Sequence, residues 1–78
     1  MKVEITVPKL GATMTSAFVS EWHVSVGDEV KKDDAVVTVE TDKIQNTVTS
    51  PVDGVVTEIL VENDEERNIG EVLCIVEG

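Results

Sequence analysis

The sequence predicts an all-β domain made of two small antiparallel sheets packed on one another, and three observations carry that expectation. Apolar and polar residues alternate through much of the 78-residue chain, the period-2 signature of half-buried strands. Valine is abundant and Phe18 and Trp22 are the only aromatics, so the core must be built from branched aliphatic side chains, which suit strands better than helices. No segment repeats apolar residues at helical spacing over three turns. The third observation is an internal repeat with a shift of 37 residues. Val19, Glu21, Val24, Glu29, Val39 and Glu40 recur without gaps as Val56, Glu58, Val61, Glu66, Val76 and Glu77. Ser20, Asp34 and Val36 recur conservatively as Thr57, Glu71 and Leu73. Neither copy can bury a face alone, so the two should pack together about an approximate twofold axis.

Each element has a local reason. Val3, Ile5 and Val7 alternate with polar residues, which predicts a strand over Lys2 to Val7, ended by Pro8. Lys9 to Ser16 is small, polar and broken by Gly11, and reads as a loop. Ala17 to Val24 reads as a strand with Phe18, Trp22 and Val24 on one face. Gly27-Asp28 marks a turn, Val30 a short extended piece, and Lys31 to Asp34 another polar turn. Ala35 to Glu40 and Gln45 to Thr49 read as the two arms of a hairpin. Ser50-Pro51-Val52-Asp53-Gly54 is a turn, with Pro stopping the ladder and Gly54 supplying positive φ. Val55 to Val61 is the next strand, Glu62 to Asn68 an acidic loop, and Glu71 to Val76 the last strand, with Gly70 turning into it.

The totals bound the function. A chain this short is one domain with a modest core and no deep enclosed pocket. Its formal net charge of −10 argues against nucleic acid and anionic membrane as partners. The same charge serves solubility or steers the domain towards a basic partner. No apolar run approaches the length that crosses a bilayer, and the opening Met1-Lys2-Val3-Glu4 does not read as a secretory signal. The lone Cys74 has no internal disulfide partner, which fits a reducing compartment, and its apolar neighbours make it a core residue. His23 has no nucleophile placed to use it and reads as structural. Glu62, Asp64, Glu65 and Glu66 lack the ligand spacing and central glycine of a calcium loop. No catalytic set and no metal cluster is visible, so an enzyme acting alone is not expected.

The two halves of the hairpin are joined by Glu40-Thr41-Asp42-Lys43-Ile44. This stretch has no glycine, so a type I turn is expected, which accepts Asp and Lys. Lys43 should stand in water with a protonated ammonium. Such a lysine is a poor nucleophile but a good attachment point. The repeat adds a geometric expectation. The twofold carries Glu40 onto Glu77, so the Lys43 hairpin should occupy one pole and the chain termini the other.

These residues resemble a known family. Glu40 to Ile44 is similar to the attachment motif of lipoyl domains, which belong to the dihydrolipoamide acyltransferase components of 2-oxo acid dehydrogenase complexes. The resemblance covers nearly the whole chain: Val7 to Met14 looks like the family's opening strand and loop, Trp22 to Val30 like its first turn, and Ser50 to Gly54 like the turn after the lysine hairpin. It implies a flattened eight-stranded β-sandwich, the barrel-sandwich hybrid, with structural turns at Gly11, Gly27, Asp28, Gly54 and Gly70. It implies lipoic acid in amide linkage on Lys43, with Glu40, Thr41, Asp42 and Ile44 as recognition residues. The implied partners are a lipoate ligase or lipoyl transferase, a thiamine-dependent decarboxylase, the acyltransferase core and dihydrolipoamide dehydrogenase. The arm would be reductively acylated by the decarboxylase, deliver the acyl group to coenzyme A, and be reoxidised by the flavoprotein. The implied compartment is the prokaryotic cytoplasm, or the mitochondrial matrix in a eukaryote, and the isolated domain is expected to be monomeric. The Pro8 to Met14 stretch looks most like acetyl-handling complexes, for pyruvate or acetoin.

Three departures from the family pattern stand out. Ser16-Ala17 replaces a common Glu-Gly, in a loop implied to lie near the lysine. Asn63-Asp64 stands where the second turn usually has Gly-Asp, with Asn63 expected to accept left-handed φ. Asp33 replaces a common glycine. Two rival readings stay open on the residues alone. One is a biotinyl carrier domain of a carboxylase, whose lysine usually lies between two methionines. The other is an unmodified β-sandwich adaptor in which Lys43 is an ordinary exposed lysine.

Overall fold

The structure, a computed structural model, describes residues 1–9, 11 and 14–78. Leu10, Ala12 and Thr13, which the sequence reading places in the opening loop motif, lie outside the described residues. Among the described residues, eight strands form two four-stranded antiparallel sheets. They are β1 (Lys2–Thr6), β2 (Ser16–Trp22), β3 (Glu29–Val30), β4 (Ala35–Glu40), β5 (Gln45–Thr49), β6 (Gly54–Ile59), β7 (Glu66–Asn68) and β8 (Val72–Glu77). One sheet has the order β1-β8-β6-β3 and the other β5-β4-β2-β7. Between them lies a core of Ile5, Val7, Ala17, Val19, Val30, Val36, Val37, Val39, Val56, Val61, Leu73, Cys74 and Val76. Trp22 packs against it and donates its indole N–H to the Val61 carbonyl at 2.8 Å, which ties the halves together. The molecule measures 33 × 21 × 17 Å, a flattened sandwich.

The repeat is written into the hydrogen bonds. The second sheet order is the first with β5, β4, β2 and β7 standing for β1, β8, β6 and β3. Asp28 Oδ2 accepts from the Ser25 N–H at 2.8 Å, and Glu65 Oε1 accepts from the Glu62 N–H at 2.8 Å. That second bond is the main reason the Glu65 carboxyl titrates below its ordinary value. Gly27 N–H donates to the Val56 carbonyl and Asp64 N–H to the Val19 carbonyl, both at 2.7 Å. Among the described residues four adopt left-handed φ: Gly27 (96°), Asp33 (75°), Asp64 (70°) and Gly70 (89°). The 37-residue shift pairs them as Gly27 with Asp64 and Asp33 with Gly70. Each pair therefore holds one glycine and one aspartate, and aspartate is among the few residues that tolerate this region.

Four expectations are corrected. Phe18 does not share a face with Trp22 and Val24: it is 45% exposed, while Ala17 and Val19 on either side are buried. A bulge between Val19 and Glu21 is the cause. One extra residue inverts the alternation, so Trp22 turns inward although Phe18, four residues earlier, points out. The acidic segment Glu62 to Asn68 is not all loop, since Glu66–Asn68 is β7, paired with Ser16–Phe18. Left-handed φ in the second turn falls on Asp64, one residue after Asn63. Gly54 is not among the positive-φ residues; it opens β6, and a Cβ there would collide with the backbone carbonyl of Glu77. Its role is close approach of two chains. Its counterpart one repeat earlier is Ala17, where the core accepts a methyl group.

Candidate functional site

β4 is the most buried strand of its sheet, with Val36, Val37, Thr38 and Val39 all inside. It delivers Glu40 to the surface, and β5 returns from Gln45, which pairs with Glu40. The four residues between are held from both sides. The Thr41 N–H donates to the Ile44 carbonyl at 2.7 Å. The Ile44 N–H donates back to Thr41 Oγ1 at 3.2 Å. A threonine hydroxyl thus replaces a backbone acceptor in closing the hairpin. Neither Asp42 nor Lys43 has positive φ, which excludes the turn types that demand glycine and agrees with the expected type I geometry.

Asp42, Lys43 and Ile44 are exposed and Thr41 is half-buried. Lys43 forms no ion pair with any described residue. Behind the tip lies an open cleft of about 270 Å³, lined by Gly11, Met14, Ser16 and the four residues Thr41 to Ile44. A Cβ added to Gly11 would sit 3.8 Å from Ile44 Cδ1, so Gly11 lies against the hairpin. The turn that opens β4 lies at that strand's other end. There Asp53 accepts from the Lys32 N–H at 2.7 Å, and Gly78 packs on the Asp53 carbonyl. The Met1 ammonium donates to the Gly78 carbonyl at 3.0 Å. The amine and the chain ends therefore occupy opposite poles.

Glu40, Thr41, Asp42, Lys43 and Ile44 are gathered at one place. Gly27, Asp28 and Gly70 stand in the turns around β3 and β7, and Gly54 is near the chain ends. His23 is structural: its backbone N–H donates to Val36 at the far end of β4, and its Nε2 hydrogen-bonds Thr38 Oγ1 at 2.7 Å. Burial pushes the Cys74 thiol up to about 11, which keeps it protonated inside the core. Phe18 is the surface residue that sequence reasoning missed. Ala17-Phe18-Val19 offered a clue, because an apolar triplet in an alternating strand must send one member outward.

A model of the biotin/lipoyl family, described as "Biotin-requiring enzyme", matches residues 3–76. The chain is 37% identical over 76 residues to the dihydrolipoyllysine-residue acetyltransferase component of a pyruvate dehydrogenase complex from Corynebacterium glutamicum, covering 97% of this chain and 11% of that protein. It is 40% identical over 72 residues to the corresponding component of an acetoin cleaving system from Pseudomonas putida, covering 92% of this chain and 20% of that one. Its fold matches the solution structure of the lipoyl domain of the 2-oxoglutarate dehydrogenase complex from Azotobacter vinelandii. There the TM-score is 0.81 and the identity 30%, over 97% of this chain and 96% of the other. The chain belongs to the biotin/lipoyl family and is a lipoyl domain. The lipoyl domain spans a fifth or less of the two acetyltransferase relatives.

Proposed function

We propose that Lys43 carries a lipoyl group in amide linkage and that the domain is the swinging-arm carrier of a 2-oxo acid dehydrogenase complex. The observation that supports this reading is the exposed Lys43 ammonium, without an ion pair among the described residues, at a closed hairpin tip, in a chain whose relatives are acyltransferase components. The residues fit the group. The amine has no ion pair among the described residues and can form an amide, the cleft beside it leaves room for a long side chain, and the Thr41 hydroxyl braces the turn that presents it. A lipoyl group supplies a cyclic disulfide that can accept electrons and an acyl group together. The protein contributes position: the arm leaves from the pole opposite the chain ends, and tethering raises its effective concentration at each partner.

The partners in this reading are a lipoate ligase or lipoyl transferase, a thiamine-dependent decarboxylase, an acyltransferase core and dihydrolipoamide dehydrogenase. The compartment in this reading is the prokaryotic cytoplasm, or the mitochondrial matrix in a eukaryote. Glu40, Thr41, Asp42 and Ile44 form the surface a modifying enzyme would read. We favour acetyl as the acyl group, on the likeness of the opening stretch to acetyl-handling complexes. A biotinyl reading is the one alternative with an observation behind it, the description of the matching family.

Intact mass decides between them. After incubation with lipoate, ATP and a lipoate ligase, the domain should gain one lipoyl-sized increment, which is absent in Lys43→Ala. A biotin-sized increment with biotin ligase instead would establish the alternative. No increment with either would leave an unmodified adaptor.

A further inference from the structure

We propose that the outer face of β2 beside the Lys43 hairpin, centred on Phe18, is a docking surface for an arginine side chain of a protein the domain visits. The inference rests on the carrier reading only for which protein that is. Phe18 exposes 45% of its surface, although it stands in the middle of a sheet. On one side it is directly opposite Glu40 of β4, and on the other opposite Glu66 of β7. Residues directly opposite in antiparallel strands share a face, so the ring lies between two carboxylates. Ser16 Oγ donates to Glu66 Oε2 at 2.7 Å and holds that carboxylate in place. A groove of about 150 Å³ runs over Phe18, lined also by Ser16, Thr41, Asp42 and Glu66. Ser16, Thr41 and Asp42 line the Lys43 cleft as well, so the two depressions are continuous.

The chemistry of the face selects its occupant. An aromatic ring is negative over its faces and attracts a cation. Carboxylates on both sides add to that attraction and repel an anionic partner. Among the described residues the Glu40 and Asp42 side chains have no hydrogen-bond partner, and the neighbouring Arg67 is turned to Glu65 and Glu71. A guanidinium is planar, stacks on an aromatic ring and offers donors at its edge to two carboxylates at once; an ammonium cannot do both. An arginine seated here would lie beside the tip that carries Lys43, and so would aim the arm at its owner.

The pseudo-twofold supplies an internal control. It carries Glu40, Phe18 and Glu66 onto Glu77, Val55 and Glu29, which are again directly opposite one another across β8, β6 and β3. The second face has the same flanking carboxylates but neither the ring nor the lysine. Lys31 also lines that second face, so the ring's own contribution is isolated by Phe18→Val.

The test is a titration of the isotope-labelled, unlipoylated domain with acetyl-arginine-N-methylamide, followed by NMR. We expect saturable shifts at Phe18, Glu40 and Glu66, stronger than with the lysine analogue, and little response at Val55. Phe18→Val copies the symmetric residue into an exposed strand position, so the fold should persist, and binding should weaken by about threefold to tenfold. Equal response at the two faces, or binding unchanged in Phe18→Val, would overturn the proposal. With the lipoylated domain, Phe18→Val should raise KM for the decarboxylase with kcat unchanged. An unchanged KM would refute the docking role. Failure of the domain to accept lipoate would instead refute the carrier reading and leave the titration result standing.

Discussion

Ser20 and Thr57 occupy equivalent bulges in the two halves of the molecule. Ser20 Oγ donates to the Thr38 carbonyl at 3.2 Å, and Thr57 Oγ1 donates to the Ile75 carbonyl at 3.3 Å. In each case the hydroxyl belongs to the extra residue of the bulge, between Val19 and Glu21 or between Val56 and Glu58. A bulge breaks the ladder locally, and the hydroxyl restores a donor to a carbonyl beside it. We expect Ser20→Ala and Thr57→Val each to lower unfolding free energy by about 1 kcal/mol. With no shared partner, the double variant should show the sum in urea denaturation.

Gly54 at the start of β6 and Asp64 in a turn should respond in opposite directions. A methyl group at Gly54 meets the Glu77 backbone and comes within 2.9 Å of Val76 Cγ1, so Gly54→Ala must push two strands apart. We expect a loss of roughly 2–3 kcal/mol. Asp64→Gly removes a Cβ from left-handed backbone, relieving about 1–2 kcal/mol against an entropic cost of up to about 1 kcal/mol. That variant should be neutral or slightly more stable in thermal melts.

Cys74 gives the domain an alkaline limit. Its thiol ionises at about 11 in the folded protein against an ordinary 9.0, because burial disfavours the thiolate. A raised folded-state value means the contribution is fully present below pH 9 and is lost as pH rises towards 11. We expect the wild type to lose about 2–3 kcal/mol more than Cys74→Ala across that window. Denaturation curves for the two proteins at successive pH values check this, whatever their offset at neutral pH.

Lys43 contributes little packing. Lys43→Arg should keep the midpoint of unfolding within about 0.5 kcal/mol of wild type while abolishing attachment of any acyl cofactor. Loss of cooperative unfolding in that variant would show that the tip is structural.

The net charge of −10 should steer the domain to a basic partner surface. On the proposed carrier reading, acylation by the decarboxylase, measured well below KM, should slow as salt rises from roughly 20 mM to 200 mM, over which the Debye length shortens about threefold. A rate indifferent to salt would argue against steering.

The hairpin, the lysine at its tip and the twofold were legible in the sequence because each rests on local or periodic information. Alternation marked β4 and β5. The 37-residue repeat set Glu40 against Glu77 and so separated the amine from the chain ends. It also held β7 in outline, since Glu29 of β3 recurs as Glu66, but Glu66-Arg67-Asn68 has no apolar residue and so no alternation to read. What needed the tertiary structure were events decided by one residue or one contact between distant strands. A bulge at Ser20 put Phe18 outside and Trp22 inside, because a single inserted residue inverts a period of two. Gly54 owes its identity to Glu77, a residue far along the chain, and left-handed backbone fell on Asp64 because that residue stands where Gly27 stands in the other half. Local pattern specified which strands exist. Only their packing settled which way each side chain faces and where two backbones must pass too closely for a methyl group.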